Sequence, residues 1–342
     1  MFTIEKPRTL GAARIISTGS YLPPAVVTNA DLKQFPANVL PLIEEKTGVC
    51  RRHRAAPGQC TSDLAVEAAQ ACLHRAGVDA DAVDAIVLAT SMPDRIQPAS
   101  ATRVQHLLGA KHAFAFDINA VCSGFVYGLT IASSLIDGGV CRRVLLVCSE
   151  ICSRFMNPSD FATYPYFGDG AGAVLLEGAT PDAQPRGPVS GRVVRSILHS
   201  DGAGDHVIQI PAGGTMLPFA SMKNPLEAFF KMNGSRVYKF AITRGQEVLR
   251  ELCDATAIGI DNLKLIIPHQ ANVNIVRMLA SGLGVSQETF FVNLDRVGNT
   301  ASASIPIALD EAWSAGRISP GDKVATVAFG GGLAWGANLL QF

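Results

Sequence analysis

The stretch FAFDINAVCSGF, residues 114–125, decides the reading of the fold. A short apolar run ends at Ile118 and small or polar residues follow. From Ser123 to Asp137, Ala, Leu and Val then recur at three-to-four spacing, and Gly138-Gly139 stops the pattern. The order is strand, turn, helix. Cys122 falls in the turn at the helix N-terminus, where the helix dipole and free N–H groups favour a thiolate. The same pattern also fits an inert buried thiol, the commonest fate of a cytosolic cysteine.

Working outward, Ala85–Ser91, Ala113–Ile118, Val144–Ser149 and Ala173–Leu176 read as buried strands, and Asp63–Gly77 as a second helix. Strands alternating with longer helical patterns predict an α/β architecture. The order then repeats about 180 residues on. Leu265–Pro268 matches Ala85–Ala89, and Lys323–Thr326 echoes Arg143–Leu146. Gly332–Leu340 resembles Gly170–Leu176. Asp117-Ile118-Asn119 leads into Cys122 much as Asn293-Leu294-Asp295 leads into Asn299. Ala179–Arg192, with its Pro and Gly residues, reads as the linker between two similar halves, residues 1–180 and 193–342. Buried strands resemble one another in any α/β protein, which is the plainer account of the repeat.

The repeat supplies Cys122 with partners. His269, in LIIPHQAN, follows a strand and precedes a helical stretch from Asn272 to Leu279, the setting of a crevice residue. Asn299, in RVGNTASASIP, follows the tight turn of Gly298 and caps a helix expected near Ala301. The repeat places it near the position of Cys122 in the other half. A structural histidine and a simple N-cap are the alternatives for these two residues. Gly330, Gly331 and Gly332 allow backbone N–H groups to face a ligand oxygen, or form a plain turn. FGDGAG, residues 167–172, precedes a strand and so does not fit a dinucleotide-binding loop. His199 reads as a turn residue.

Composition narrows the class. Charged residues make up 17% of the 342, against about 25% usually, and 48% are hydrophobic, which points to a large core and a subunit interface. With 29 basic and 29 acidic residues there is no nucleic-acid footprint. None of the eight cysteines forms a CxxC pair, so no zinc site is expected. MFTIEKPRTLGAARI lacks the apolar run of a signal peptide, and no stretch is long and apolar enough for a membrane span. The expectation is a soluble cytoplasmic protein.

Together these motifs resemble the β-ketoacyl-acyl carrier protein synthase III group of the thiolase superfamily. The likeness runs from STGSYLPPAVVTNADL (17–32), through EKTGVCRRH, VCSG, FGDGAGAVLL, PHQAN and DRVGNTASASIP, to AFGGGLAWGANLLQF (328–342). It implies a thiolase-like five-layer αβαβα fold made of two similar halves, a homodimer, and a catalytic triad of Cys122, His269 and Asn299. By that likeness Cys122 takes an acyl group from a thioester of coenzyme A or acyl carrier protein. His269 and Asn299 hold a malonyl thioester as it loses CO2, and the backbone N–H groups of Cys122 and Gly331 form the oxyanion hole. No metal or redox cofactor is implied, and the activity belongs to fatty acid biosynthesis and lipid metabolism. The segment TVAFGGGLAW lacks the second cysteine of degradative thiolases. Leu42, Phe161 and Asn274 stand where the family carries a Trp and two Arg residues that grip coenzyme A or the carrier. Gln97 stands where a Phe commonly floors the acyl pocket, and Arg95 on the same loop is a candidate partner for an acidic acyl tail. These changes imply a specialised paralogue with an unusual acyl donor. Arg236, Lys239 and Arg277 are candidates for carrier-protein docking. The alternative activity is transfer of the acyl group from Cys122 to an alcohol or amine.

Overall fold

The computed structural model describes residues 13–178 and 190–342. Residues 1–12 and most of the expected linker lie outside them. The linker's last two residues, Gly191 and Arg192, are strand rather than loop.

Nine strands form one hydrogen-bonded sheet. They are β1 (Ala13–Tyr21), β2 (Ala85–Ala89), β3 (Phe114–Ile118), β4 (Arg143–Ile151), β5 (Asp169–Gly178), β6 (Gly191–Ser200), β7 (Leu265–Pro268), β8 (Lys323–Gly330) and β9 (Ala334–Gln341). Six helices of nine residues or more accompany them among the described residues: α1 (Thr61–Ala76), α2 (Ser100–Leu108), α3 (Gly124–Asp137), α4 (Gly234–Thr256), α5 (Val273–Leu283) and α6 (Ser304–Ser314). His199 lies in β6, where its ring stacks on Trp335 and Nε2 meets Glu251 at 2.7 Å, so it is not a turn residue.

The sheet is two half-sheets joined edge to edge. The first runs β3-β2-β4-β5-β1 and the second β7-β8-β9-β6. Among the described residues they meet where Arg14 pairs with Arg192 and Ile15 with Gly191. In both halves a parallel pair is followed by two antiparallel ones: β2 with β4, then β5, then β1; β7 with β8, then β9, then β6. The counterpart of β3 in the second half shrinks to one parallel bridge between Ile266 and Phe290. The helices repeat too, with α1, α2 and α3 answered by α4, α5 and α6.

Burial explains the layering. β2 and β4 are buried along their whole length, so they read as unbroken apolar runs rather than alternating ones. One face of the first half-sheet packs on α1 and α2 through Leu64, Leu73, Val104, Ile86 and Leu145. One face of the second packs on α4 and α5 through Leu249, Leu279, Ile266 and Phe329. The inner faces of both close over α3 and α6 through Phe125, Leu129, Ile136, Ile305 and Leu309. Helix, sheet, helix, sheet, helix is the expected five-layer order. At its centre the start of α3 touches the turn before α6: a Cβ on Gly124 would stand 2.9 Å from the Ser302 Cβ. The two central helices therefore begin side by side.

Candidate active site

Two matched turns build the site. Each is a single 3-10 turn entering a central helix, Val121–Ser123 before α3 and Ala301–Ala303 before α6. Asn119 accepts the Val121 N–H on Oδ1 at 3.1 Å, and Asn299 accepts the Ala301 N–H on Oδ1 at 2.9 Å. Val121 and Ala301 have φ of 47° and 46°, a left-handed conformation that costs a non-glycine residue roughly 1–3 kcal/mol. The match corrects one expectation. Asn299 is the counterpart of Asn119, not of Cys122, and the counterpart of Cys122 is Ser302. Nor does Asn299 cap α6 itself; it braces the 3-10 turn that leads into it.

Cys122 presents a half-exposed side chain to a cavity of about 600 Å³. Val121, Asn119 and Ala301 share its wall, with Phe155, Phe167, Phe230, Met92 and Ile208 around them. Burial, and then the negative charge of Glu150, push the Cys122 thiol up to about 12, while its own backbone N–H pulls the other way. Sequence alone pointed to a thiolate at a helix N-terminus. Desolvation outweighs that field, and the resting thiol is protonated. Gly330 at the end of β8 lies directly over it: a Cβ there would sit 2.9 Å from Cys122 N. Gly331 follows in the turn between β8 and β9, buried against Ile208.

His269 follows β7 directly, and its N–H donates to Val327 O at 2.8 Å. Its ring is 3% exposed and lies edge-on to Phe329, centroids 5.7 Å apart. Burial holds its pKa down at about 3, so the ring is neutral. Nδ1 lies 2.8 Å from Ser304 Oγ. That hydroxyl also accepts the Gln270 N–H at 3.4 Å, and we assign its own proton to Nδ1. The imidazole proton then resides on Nε2. Asn299 is 6% exposed; with Oδ1 occupied, its Nδ2 has no partner within the described residues. Asn299 is fixed on both sides by the main chain, its N–H donating to Tyr166 O and its carbonyl accepting from Gly168, each at 2.9 Å. Neither His269 nor Asn299 lines the cavity that Cys122 faces. Asn299 approaches it through Ala301 of its own turn, and His269 through Phe329, the residue before Gly330. Their free donors are His269 Nε2 and Asn299 Nδ2.

The remaining expected residues lie elsewhere. Gln97 is exposed and does not line the cavity of its own chain, whereas its neighbours Arg95 and Ile96 do. Phe161 packs edge-on against Phe35 at 5.2 Å, inside an apolar cluster with Ile43 and Leu294. Leu42 is half-exposed on the short helix Pro41–Thr47. Asn274 donates to Lys46 O at 2.9 Å, beside Asn272, which donates to the same carbonyl at 3.0 Å. It ties α5 to that short helix. Arg236 reaches His206 Nε2 at 2.9 Å, Arg277 reaches Asn274 Oδ1 at 2.9 Å, and Lys239 is exposed.

Sequence reading missed Ser304, Ser302, Asn119 and Glu150. The first two sit in TASAS, a run of small residues without a distinguishing pattern. Asn119 carried a signal, its 180-residue spacing from Asn299. Among the described residues no group of His, Cys, Asp or Glu is placed to hold a metal ion, and no helix is long and apolar enough to cross a membrane.

Residues 116–202 match the family described as 3-oxoacyl-[acyl-carrier-protein (ACP)] synthase III, and residues 253–342 match its C-terminal part. The chain is 40% identical to the β-ketoacyl-[acyl-carrier-protein] synthase III of Rhodopirellula baltica, covering 97% of this chain and 99% of that one. It is 42% identical to β-ketoacyl-[acyl-carrier-protein] synthase III 3 of Streptomyces coelicolor, over 97% of both. The crystal structure of 3-oxoacyl-[acyl-carrier-protein] synthase III from Aquifex aeolicus VF5 superposes with a TM-score of 0.86 at 35% identity, covering 96% of this chain and all of that one.

Proposed function

We propose that this chain, which belongs to the 3-oxoacyl-[acyl-carrier-protein] synthase III family of acyltransferases, carries an acyl group on Cys122 and condenses it with a malonyl thioester. The observation that supports this reading is the pair of unpartnered donors: Asn299 Nδ2, on the turn whose Ala301 shares the cavity wall with Cys122, and His269 Nε2, on a ring packed against Phe329 next to Gly330.

Cys122 Sγ attacks an acyl thioester. A new C–S bond forms, the old one breaks, and the thiol proton leaves on the departing thiol. A malonyl thioester then binds with its carbonyl oxygen towards the two N–H donors. Its C–C bond to the carboxylate breaks, CO2 departs, and the electron pair becomes an enolate. The donors stabilise that oxyanion without reorganising, in a site where low polarity strengthens them. The enolate carbon attacks the acyl carbonyl on Cys122, whose oxygen faces the backbone N–H groups of Cys122 and Gly331. The C–S bond breaks, and the thiolate takes up a proton. The two half-reactions run on thioesters of coenzyme A or acyl carrier protein, with no metal or redox cofactor.

Asn299 argues against acyl transfer to an alcohol or amine, because the decarboxylating step is the one that uses its amide as a donor to an enolate oxygen. Loading the enzyme and adding malonyl-acyl carrier protein labelled in the free carboxyl decides between them. The account expects labelled CO2, lost in His269→Ala and Asn299→Ala. Absence of CO2 release from active, loaded enzyme overturns it.

The finer proposals rest on particular residues. Where a Trp and an Arg would clamp an adenine, Leu42 and Phe161 offer no hydrogen bond, and Phe161 is spent on Phe35. That supports a specialised paralogue whose donor is held differently, with Arg95 and Ile96 shaping the acyl cavity. Arg236, Lys239 and Arg277 supply exposed positive charge for a carrier protein. The free edge of β3, where Phe114 is 45% exposed, supports a homodimer. The two halves, residues 1–180 and 193–342, each supply part of the site, and the cytoplasm is its compartment.

A further inference from the structure

Glu150, next to last in β4, has no exposed surface and no cationic partner among the described residues. Neutral donors meet its carboxylate instead. Ser302 Oγ lies 2.7 Å away, Ser91 N and Oγ each 3.1 Å at their nearest, and Thr90 Oγ1 3.2 Å. Thr90 Oγ1 accepts the Met92 N–H at 3.0 Å, which leaves its proton for the carboxylate, and the Ser91 backbone N–H only donates. Four donors facing two oxygens suit a carboxylate, an acceptor without a proton of its own. Protonation would turn one hydroxyl contact round, Ser302 Oγ having Ala89 O at 3.2 Å as a second acceptor for its own proton.

The donors come from two places. Thr90 and Ser91 carry β2 on into the cavity wall, where Ser91 and Met92 line the acyl site. Ser302 stands three residues after Asn299, in the turn that matches the one bearing Cys122. The contact joins the halves of the chain across 152 residues of sequence. The Asn299 turn is thus pinned, through Ser302, to the wall that faces the acyl group.

We propose that Glu150 is a positioning residue for the condensation half-reaction, its carboxylate holding the turn of Asn299 in register with the acyl cavity through Ser302 and Ser91. This rests on the condensation reading above. Burial raises the pKa of Glu150 to about 7. The other titratable groups that face it are the thiols of Cys122, Cys148 and Cys152, and burial pushes each of them upward, away from neutrality. An ionisation near neutral pH in the condensation step therefore reports Glu150.

The test measures the two half-reactions separately in the intact enzyme: acylation of Cys122 by intact mass, and condensation by CO2 release across pH. In Glu150→Gln and in Ser302→Ala, kcat for condensation is expected to fall at least about tenfold, with the KM for malonyl thioester within about threefold and acylation slowed by no more than about threefold. In the wild type, condensation rises with pH through an ionisation near 7 that Glu150→Gln lacks. Wild-type condensation rates in both variants overturn the proposal. So does a parallel loss of both half-reactions, or an ionisation that persists without the carboxylate. Should Glu150→Gln not fold, Ser302→Ala and the wild-type profile decide. Condensation that survives in His269→Ala and Asn299→Ala defeats the site reading itself, whereas loss there with none in Ser302→Ala defeats this inference alone.

Discussion

Cys122 and His269 are both uncharged at neutral pH, and for the same reason: protein around them disfavours the ionised form more than any neighbour favours it. A neutral imidazole is useful only with its proton on the correct nitrogen, and Ser304 sets that. Ser304→Ala removes the donor to Nδ1. Nitrogen-15 NMR of labelled histidine should show an Nε2–H ring in the wild type and a mixture in the variant, with condensation down by about tenfold or more. An Nδ1–H ring in the wild type contradicts the assignment. Glu150 makes a second prediction at this scale. Its folded pKa of about 7 lies above its ordinary 4.5, so the folded state binds the proton more tightly than the unfolded state. Stability is then lost as pH rises from about 4.5 to about 7, by on the order of 3 kcal/mol, and stays lost above that. Denaturant melts of wild type and Glu150→Gln across that window should diverge in that sense. The side chains proposed to be catalytic stood out in the sequence because each lies at a turn beside Gly or Pro. Their protonation states did not, because desolvation is a property of the packed interior.

At the scale of elements, the paired 3-10 turns are what bring the site together. The sequence repeat pointed to equivalent turns but set Asn299 against Cys122. The structure aligns Asn with Asn and Cys with Ser, one repeat apart. The miss came from matching a functional residue to a functional residue when the backbone matches by position. The strong signal was available in the identical spacing of Asn119-Ala-Val121 and Asn299-Thr-Ala301. The end of β8 meets the 3-10 turn that bears the nucleophile with no room to spare. Gly330→Ala places a Cβ against the backbone of Cys122. It should cost about 1–3 kcal/mol of stability and slow acylation by at least about tenfold, read by melting and by intact mass. Full acylation at unchanged stability would show that the strand end can yield.

For the whole molecule, the duplicated order of strands and helices was readable from hydrophobic runs at a constant interval. What could not be read was how the halves join. β1 and β6 touch at two residue pairs, and the fifth strand of the second half is reduced to Phe290. Such pairings depend on edges meeting in space rather than on pattern within a segment. Leaving β3 as a free edge with an exposed Phe114 predicts self-association. Sedimentation should give twice the 36.0 kDa chain mass, about 72 kDa, and Phe114→Asp should shift it towards monomer. A wild type that stays monomeric at micromolar concentration contradicts this. The central claim is that one thiol holds the acyl group until a malonyl thioester removes it, and intact-mass spectrometry tests that most directly. After exposure to a panel of acyl thioesters, the protein should gain the mass of one acyl group. That gain should be absent in Cys122→Ala and should disappear when malonyl-acyl carrier protein is added, as a β-ketoacyl product forms. A gain that survives in Cys122→Ala, or an acyl-enzyme that malonyl thioester leaves unchanged, would contradict it.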